Sequence, residues 1–356
     1  METNELQVVE CSGTSYEIGR HYGENRTTSI RKASELFFGA LLRSPFKASK
    51  DEVKAKARKA FLDSTKSFEP GSLDMVEGLA EGAGIGFDEA FALQCSIEVS
   101  LNYQHVSAMC TSFTVTGKAT QDGTTVLGQN IDWHPAAPVD LLRISHEDGL
   151  ERFSLCLSGN AYYHLTSAGI GNCANLTLGA LAKPENQVPL SFYLSKTMRQ
   201  KSIEDALGVL SRTARGYGYY HLADAKGEMF GIESTHNSHC AIRPQKDVLV
   251  HANHYESEEY RDGDWAHLVL PCTYARGARM RELIAEHYGD LSPKLMMEFL
   301  ADHKDHPNSI CRHVDETKPE ELASESRASV VMVPAERTMY VSQGPPCQNV
   351  FVKHVL

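Results

Sequence analysis

Ser107-Ala108-Met109-Cys110-Thr111-Ser112-Phe113-Thr114-Val115 is where this chain changes texture. Upstream, apolar residues recur at three-to-four spacing, as at Ile30, Ala33, Leu36, Phe37 and Leu41 and again at Met75, Leu79 and Ala83, the pattern of amphipathic helices. Only residues 6–11 read as a strand there. Residues 51–68, rich in Lys, Glu and Ala, read as a solvent-facing helix. Downstream, short β-branched or alternating runs at 124–127, 139–144 and 153–157 are punctuated by Asp122-Gly123 and Gly159-Asn160, as strands joined by turns would be.

Further out, helices are predicted at 191–199, 203–213, 274–287 and 295–300, and strands at 219–223, 229–233, 328–333, 339–342 and 350–352. Helices and hairpins without a strand-helix-strand rhythm predict an α+β fold, with antiparallel sheets layered against helices. The boundary near residue 110 divides a helical segment, 1–109, from a sheet-bearing segment, 110–356. No linker, internal repeat or low-complexity tract separates them, so the two together read as one domain.

Composition narrows the function classes. With 42% hydrophobic and 23% charged residues, the 356-residue chain is that of an ordinary globular protein. A net charge of -11 opposes nucleic-acid binding, which calls for a basic surface to replace counterions. The first ten residues are polar with no apolar run, and no stretch approaches a membrane span, so the expected compartment is the cytoplasm and no membrane partner is expected. The terminal Lys353-His354-Val355-Leu356 is a poor peroxisomal address. Nine scattered cysteines without a CxxC pair fit a reducing compartment and leave no metal site expected. His251 with His254, and His303 with His306, have helix-compatible spacing for metal ligands but lack a third ligand in sequence. Gly169-Ile170-Gly171 lacks the rest of a dinucleotide fingerprint, and Tyr217, Tyr219 and Tyr220 read as packing.

Alone, a free cysteine is ordinarily a small buried hydrophobe. The neighbours of Cys110 argue for more: hydroxyls follow at Thr111 and Ser112, and Asp132 lies on the next strand in Gly128-Gln129-Asn130-Ile131-Asp132-Trp133. This region resembles the acyl-coenzyme A:isopenicillin N acyltransferase family, which includes amide hydrolases. Four further blocks in family order carry the resemblance across the chain: Gly13-Thr-Ser-Tyr-Glu17-Ile-Gly19-Arg-His-Tyr-Gly23, Thr166-Ser-Ala-Gly169-Ile, Val250-His251-Ala-Asn253-His254 and Ser309-Ile-Cys-Arg312.

The resemblance implies an N-terminal-nucleophile (Ntn) hydrolase fold, an αββα sandwich of two antiparallel sheets between helical layers. It also implies a zymogen that cleaves itself before Cys110, with residues 1–109 staying associated as a small α-subunit of the 110–356 β-subunit. Cys110 would then carry both a thiol and a free α-amine, and near neutral pH that amine can take the sulfur's proton. By the same resemblance Ser112 and Asp132 orient the amine, the Asn253 amide donates to an oxyanion, and Arg312 pairs with Asp132 or holds a substrate carboxylate. The substrates implied are a small-molecule acyl donor, with acyl-coenzyme A as a co-substrate and no other cofactor, and an amine or water as acceptor. The family places Gly before its nucleophile, where this chain has Met109, and a threonine where it has Ser112. Tyr103, Phe113, Trp133 and His134 are the expected pocket lining. Two other readings stay open: an Ntn relative that does not cleave and serves as a binding protein, and a papain-like hydrolase using His251 or His254 as base.

Overall fold

The computed structural model describes residues 6–102, 109–179, 187–212, 218–235, 238–317, 319–320 and 323–356. Strand β1 (Val8–Gly13) leads into six helices: α1 (Ser15–Asn25), α2 (Thr27–Arg43), α3 (Lys50–Phe68), α4 (Pro70–Ala83), α5 (Phe87–Gln94) and α6 (Ser96–Asn102). Strands β2 (Met109–Gly117), β3 (Gly123–Trp133), β4 (Val139–His146), β5 (Glu151–Leu157), β6 (Asn160–Thr166) and β7 (Ile170–Asn175) follow. After α7 (Leu190–Thr197) and α8 (Ile203–Arg212) come β8 (Gly218–Asp224), β9 (Met229–Ser234), β10 (His239–Ile242) and β11 (Val248–His251). The chain closes with α9 (Glu258–Arg261), α10 (Ala266–Val269), α11 (Cys272–Glu286), α12 (Pro293–Leu300), β12 (Glu325–Val333), β13 (Thr338–Gln343) and β14 (Val352–Val355). No helix among the described residues is long and apolar enough to cross a membrane.

The strands form two sheets. One runs β1-β4-β5-β6-β7-β8-β9-β10 and the other β11-β2-β3-β12-β13-β14. All strand pairings but one are antiparallel; β1 joins β4 in parallel, and between the two the chain passes through six helices and through β2 and β3 of the other sheet. The largest apolar cluster lies between the sheets and under the amino-terminal helices, joining Leu127, Ile131 and Val330 to Leu155, Tyr163 and Leu222. On the outer face of the smaller sheet, Phe113, Val115, Val126 and Val331 pack on Met280, Ile284, Met296 and Phe299 of α11 and α12. On the outer face of the larger sheet, Val9, Leu142 and Ile144 meet Ile18, Tyr22 and Leu79. The result is the αββα layering that the resemblance implies.

Local chemistry explains the helices. The segment Thr14-Ser15-Tyr16-Glu17 is a capping box, with the Thr14 hydroxyl accepting the Glu17 N–H and the Glu17 carboxylate accepting the Thr14 N–H at 2.8 Å. Ser49 and Glu52 repeat this at the start of α3, whose Val53, Ala57, Phe61 and Thr65 form a buried stripe on an otherwise charged helix. Helices α1 and α4 cross with almost no side-chain layer between them. A Cβ on Gly19 would run into the Met75 carbonyl, and one on Gly78 into the Tyr16 carbonyl. Gly78→Ala therefore sets a helix-propensity gain of about 1 kcal/mol against backbones forced apart. The expected net result is a destabilisation of about 1–3 kcal/mol, read as a lower denaturant midpoint, whereas an unchanged or higher midpoint would show that the two helices can separate freely.

Glu98 on α6 is buried and accepts the Leu190 N–H at the start of α7 at 2.7 Å, while its second oxygen has no partner among the described residues. Burial outweighs that hydrogen bond and pushes its carboxyl up to about 7. A carboxyl raised in the folded state stabilises the fold fully below its unfolded value and loses that contribution as pH rises through the folded one. The wild-type chain should therefore lose about 3 kcal/mol between pH 4 and 8 from this group, and Glu98→Gln should flatten that part of the stability profile. Equal slopes in both proteins would assign the buried proton elsewhere.

Candidate active site

Residue 110 is held by backbone and side chain from three directions. In β2, alternation sends Thr111, Phe113 and Val115 toward α11 and α12, and Cys110, Ser112 and Thr114 toward the larger sheet. Thr114 meets His221 of that sheet at 3.4 Å, and the Tyr163 hydroxyl and the Asp132 backbone reach the Cys110 sulfur. Gly128, paired with Phe113, leaves room for its ring, since a Cβ there would lie 2.9 Å from Phe113 Cζ and closer still to the Val330 carbonyl.

The Cys110 N–H donates to Asn253 Oδ1 at 2.9 Å, and the Cys110 carbonyl accepts from Arg276 Nη1 at 2.6 Å. The same guanidinium donates to Thr111 Oγ1 at 2.6 Å and to Asn253 Oδ1 at 2.8 Å. Asn253 is fixed in turn: its N–H donates to Thr273 Oγ1 at 2.6 Å and its Nδ2 to the Leu176 carbonyl at 2.8 Å. In this arrangement the Asn253 amide oxygen, not its nitrogen, faces residue 110. The Ser112 hydroxyl donates to the His251 carbonyl at 3.3 Å, which Asn175 Nδ2 also reaches at 3.0 Å.

Asp132 is opposite Met109 across β2 and β3 and is fully buried. Ser326 Oγ donates to its Oδ1 at 2.8 Å, and its Oδ2 has no partner among the described residues. Burial raises its carboxyl above the usual range, against the pull of the Arg276 and Arg312 charges and the Ser326 bond. The Arg312 N–H donates to that same Ser326 Oγ at 3.0 Å, and its guanidinium reaches Cys272 Sγ at 3.1 Å. The Cys110 thiol is pushed up to about 12, first by burial and then by the Asp132 charge, so in the unbroken chain it is a protonated thiol at neutral pH.

The fold thus gathers Cys110, Asp132, Asn253 and Arg312 around one strand end, with Ser112 one step along the same face as Cys110. Arg276 is a residue the sequence reading passed over. A signal was present, because Thr273, Gly277, Met280 and Ile284 form the buried stripe of α11 and Arg276 falls inside it. An arginine at an apolar position of a helix needs a polar partner. Tyr163, on the facing sheet, has no such signal. Of the expected pocket lining, Trp133 and His134 are half-buried, Tyr103 lies outside the described residues, and Phe113 is a correction: strand alternation turns it to the helical layer. Of the tyrosines read as packing, Tyr219 and Tyr220 are buried and Tyr217 lies outside the described residues.

His251 Nε2 is bonded to Glu233 at 2.8 Å, its Nδ1 is 2.8 Å from the Ala252 carbonyl, and its ring stacks on Tyr219 at 3.8 Å. Burial drives His254 down to about 4, and its Nδ1 is engaged by Thr273 at 3.1 Å. Both imidazoles have structural partners, which does not favour either as a base for Cys110.

A model of the family acyl-coenzyme A:6-aminopenicillanic acid acyl-transferase matches residues 194–346, the stretch that holds Asn253, Arg276 and Arg312. No curated protein matches the chain. Similar solved structures include a Caenorhabditis elegans N-acylethanolamine-hydrolyzing acid amidase ortholog, at 16% identity and a TM-score of 0.48, covering 64% of this chain and 93% of the other. A variant of the conjugated bile acid hydrolase from Clostridium perfringens follows at 12% identity and 0.46, with coverage of 69% and 97%. The penicillin V acylase from Agrobacterium tumefaciens is similar at 13% identity and 0.43, with coverage of 66% and 83%.

Proposed function

We propose, with the acyltransferase-family match over residues 194–346 as premise, that this chain is an acyl-transferring or amide-hydrolysing enzyme whose nucleophile is the Cys110 thiol, freed as a new amino terminus. The observation that carries the reading is the double grip on residue 110, its nitrogen by Asn253 and its carbonyl by Arg276, beside a buried carboxylate.

Self-cleavage balances as follows. The Cys110 sulfur attacks the Met109 carbonyl, the C–N bond breaks, and the thiol proton passes to the departing nitrogen. Water then hydrolyses the thioester, leaving a Met109 carboxylate and a Cys110 with free thiol and α-amine. Asn253 Oδ1, already bonded to that nitrogen, would go on accepting from the amine and keep it beside the sulfur. An α-amine of ordinary pKa, roughly 7.7 to 8.0, is partly unprotonated near neutral pH and can take the thiol proton as the sulfur attacks, so no free thiolate has to form first.

In turnover the sulfur attacks the carbonyl of a thioester or amide donor while the α-amine takes its proton. The leaving thiol or amine takes the proton, and an amine or water then attacks the acyl-enzyme to release product. Transfer and hydrolysis share every step before the acceptor, whose choice rests on exclusion of water from the pocket.

Intact-mass spectrometry tests the reading. Freshly isolated protein should show two fragments, the larger starting Cys-Thr-Ser-Phe, and a panel of acyl-coenzyme A thioesters and N-acyl amides should leave an acyl adduct on that cysteine. A single unbroken chain that turns over substrate, or no adduct with every donor, would refute it.

A further inference from the structure

We propose that His303, Cys311, His313 and Cys347 form a structural Cys2His2 zinc site. His303 follows α12, Cys311 and His313 lie on the connection to β12, and Cys347 lies between β13 and β14. One ligand atom from each of the four lies within 4.8 Å of every other. His313 Nε2 is 2.9 Å from His303 Nε2, 3.3 Å from Cys347 Sγ and 3.8 Å from Cys311 Sγ.

A tetrahedral zinc with Zn–N near 2.0 Å and Zn–S near 2.3 Å sets its ligand atoms about 3.3 to 3.8 Å apart. The three measured separations scatter about that range. Hydrogen bonding accounts for them less well, because one proton on His313 Nε2 can serve only one of its three neighbours. Two imidazoles and two thiols are also a soft, tetrahedral donor set, which suits zinc over the oxygen-seeking calcium and magnesium. His306 is not needed: its ring centre is 6.3 Å from that of His313.

The site has a structural consequence. Arg312 lies between two of the ligands, and residues 301–317 around it form no helix or strand. A cation binding Cys311 and His313, and tying both to Cys347, would fix the backbone that carries Arg312, whose charge acts on Asp132. Arg312 would then be a residue whose position depends on a metal remote from the reacting sulfur. The inference stands on the four ligands and is independent of the acyl-transfer reading.

The test is metal content and thiol protection on the full reduced chain. After exposure to zinc and dialysis, elemental analysis should find about one zinc per chain, and Cys347→Ser should lower this to near zero. Cobalt in its place should give the near-ultraviolet thiolate charge-transfer band. In the unmodified protein, Cys347 is exposed and should alkylate slowly with zinc and at least about tenfold faster once a chelator removes it, while the half-exposed Cys240 should show no such change. That last arm holds even where the variant fails to fold. The proposal is overturned by zinc well below one per chain, by equal zinc in Cys347→Ser, by alkylation indifferent to the chelator, or by a Cys311–Cys347 disulfide in freshly isolated protein.

Discussion

Cys110→Ala should abolish acyl transfer and leave the chain in one piece. Loss of a covalent nucleophile typically costs on the order of 10⁴-fold or more, so the expected residual rate is close to that without enzyme. The substitution removes one buried sulfur from a strand whose backbone bonds stay in place, at a stability cost on the order of 1 kcal/mol, so unfolding would not account for the loss. Cys110→Ser refines the test. Its hydroxyl can still attack the Met109 carbonyl, but it is a poorer nucleophile and a poorer leaving group than a thiol, so processing should slow and turnover should nearly cease. Adduct formation, a gel and an amide-hydrolysis assay on the three proteins read all of this. Full activity in Cys110→Ala would move the chemistry to another residue.

Replacement of Arg276 should have the next largest effect. Its guanidinium is fully buried and serves three acceptors at once: the Cys110 carbonyl, Thr111 Oγ1 and Asn253 Oδ1. It also lies near enough to Asp132 for its positive charge to pull that carboxyl down. Arg276→Met therefore leaves polar groups stranded and takes away part of the charge that compensates a buried carboxylate, at an expected cost of about 3–5 kcal/mol. Because the Asp132 carboxyl is already raised in the fold, its stabilising contribution is present at low pH and is lost as pH rises through its folded value. The variant raises that value further, so the gap in stability from wild type should widen from pH 5 to pH 8. Arg276→Lys keeps the charge but not the planar fork, and should narrow that gap while still misplacing residue 110. At a temperature where both variants stay folded, each should lose roughly a hundredfold or more in kcat with a smaller change in KM, since what is lost is alignment. Denaturant midpoints at the two pH values, with steady-state kinetics, decide between a site role and mere packing. A stability loss with unchanged kcat would leave only the latter.

Much of the fold was legible because periodicity and burial agree. The strand expected at 139–144 is found within β4, and the helices expected at 274–287 and 295–300 correspond to α11 and α12 within a few residues. Boundaries slipped where a cap or a pairing partner, not local pattern, ends the element. Strand β3 runs on to Trp133 because β2 and β12 flank it, although Gly128 and Asn130 are poor strand formers. The short strands β10 and β11 were missed because only their neighbours make them strands. The parallel β1–β4 pair was equally invisible, since it joins segments separated by six helices.

By itself, the order of residues determined the helical-to-sheet change at 110, the place of Cys110 at the head of a strand, and the candidate set Cys110, Ser112, Asp132, Asn253 and Arg312. The first two follow from side-chain period and turn chemistry, which are local properties, while the candidate set rests on the resemblance to the acyltransferase family. Only the tertiary structure decided that Arg276 grips residue 110, that Phe113 faces helices, and that His303 meets His313 and two cysteines instead of His306. The first of those contacts spans 166 positions along the chain. They arise where two sheets and a helical layer close on one another, and no local pattern encodes which distant atoms that closure brings within a hydrogen bond's length.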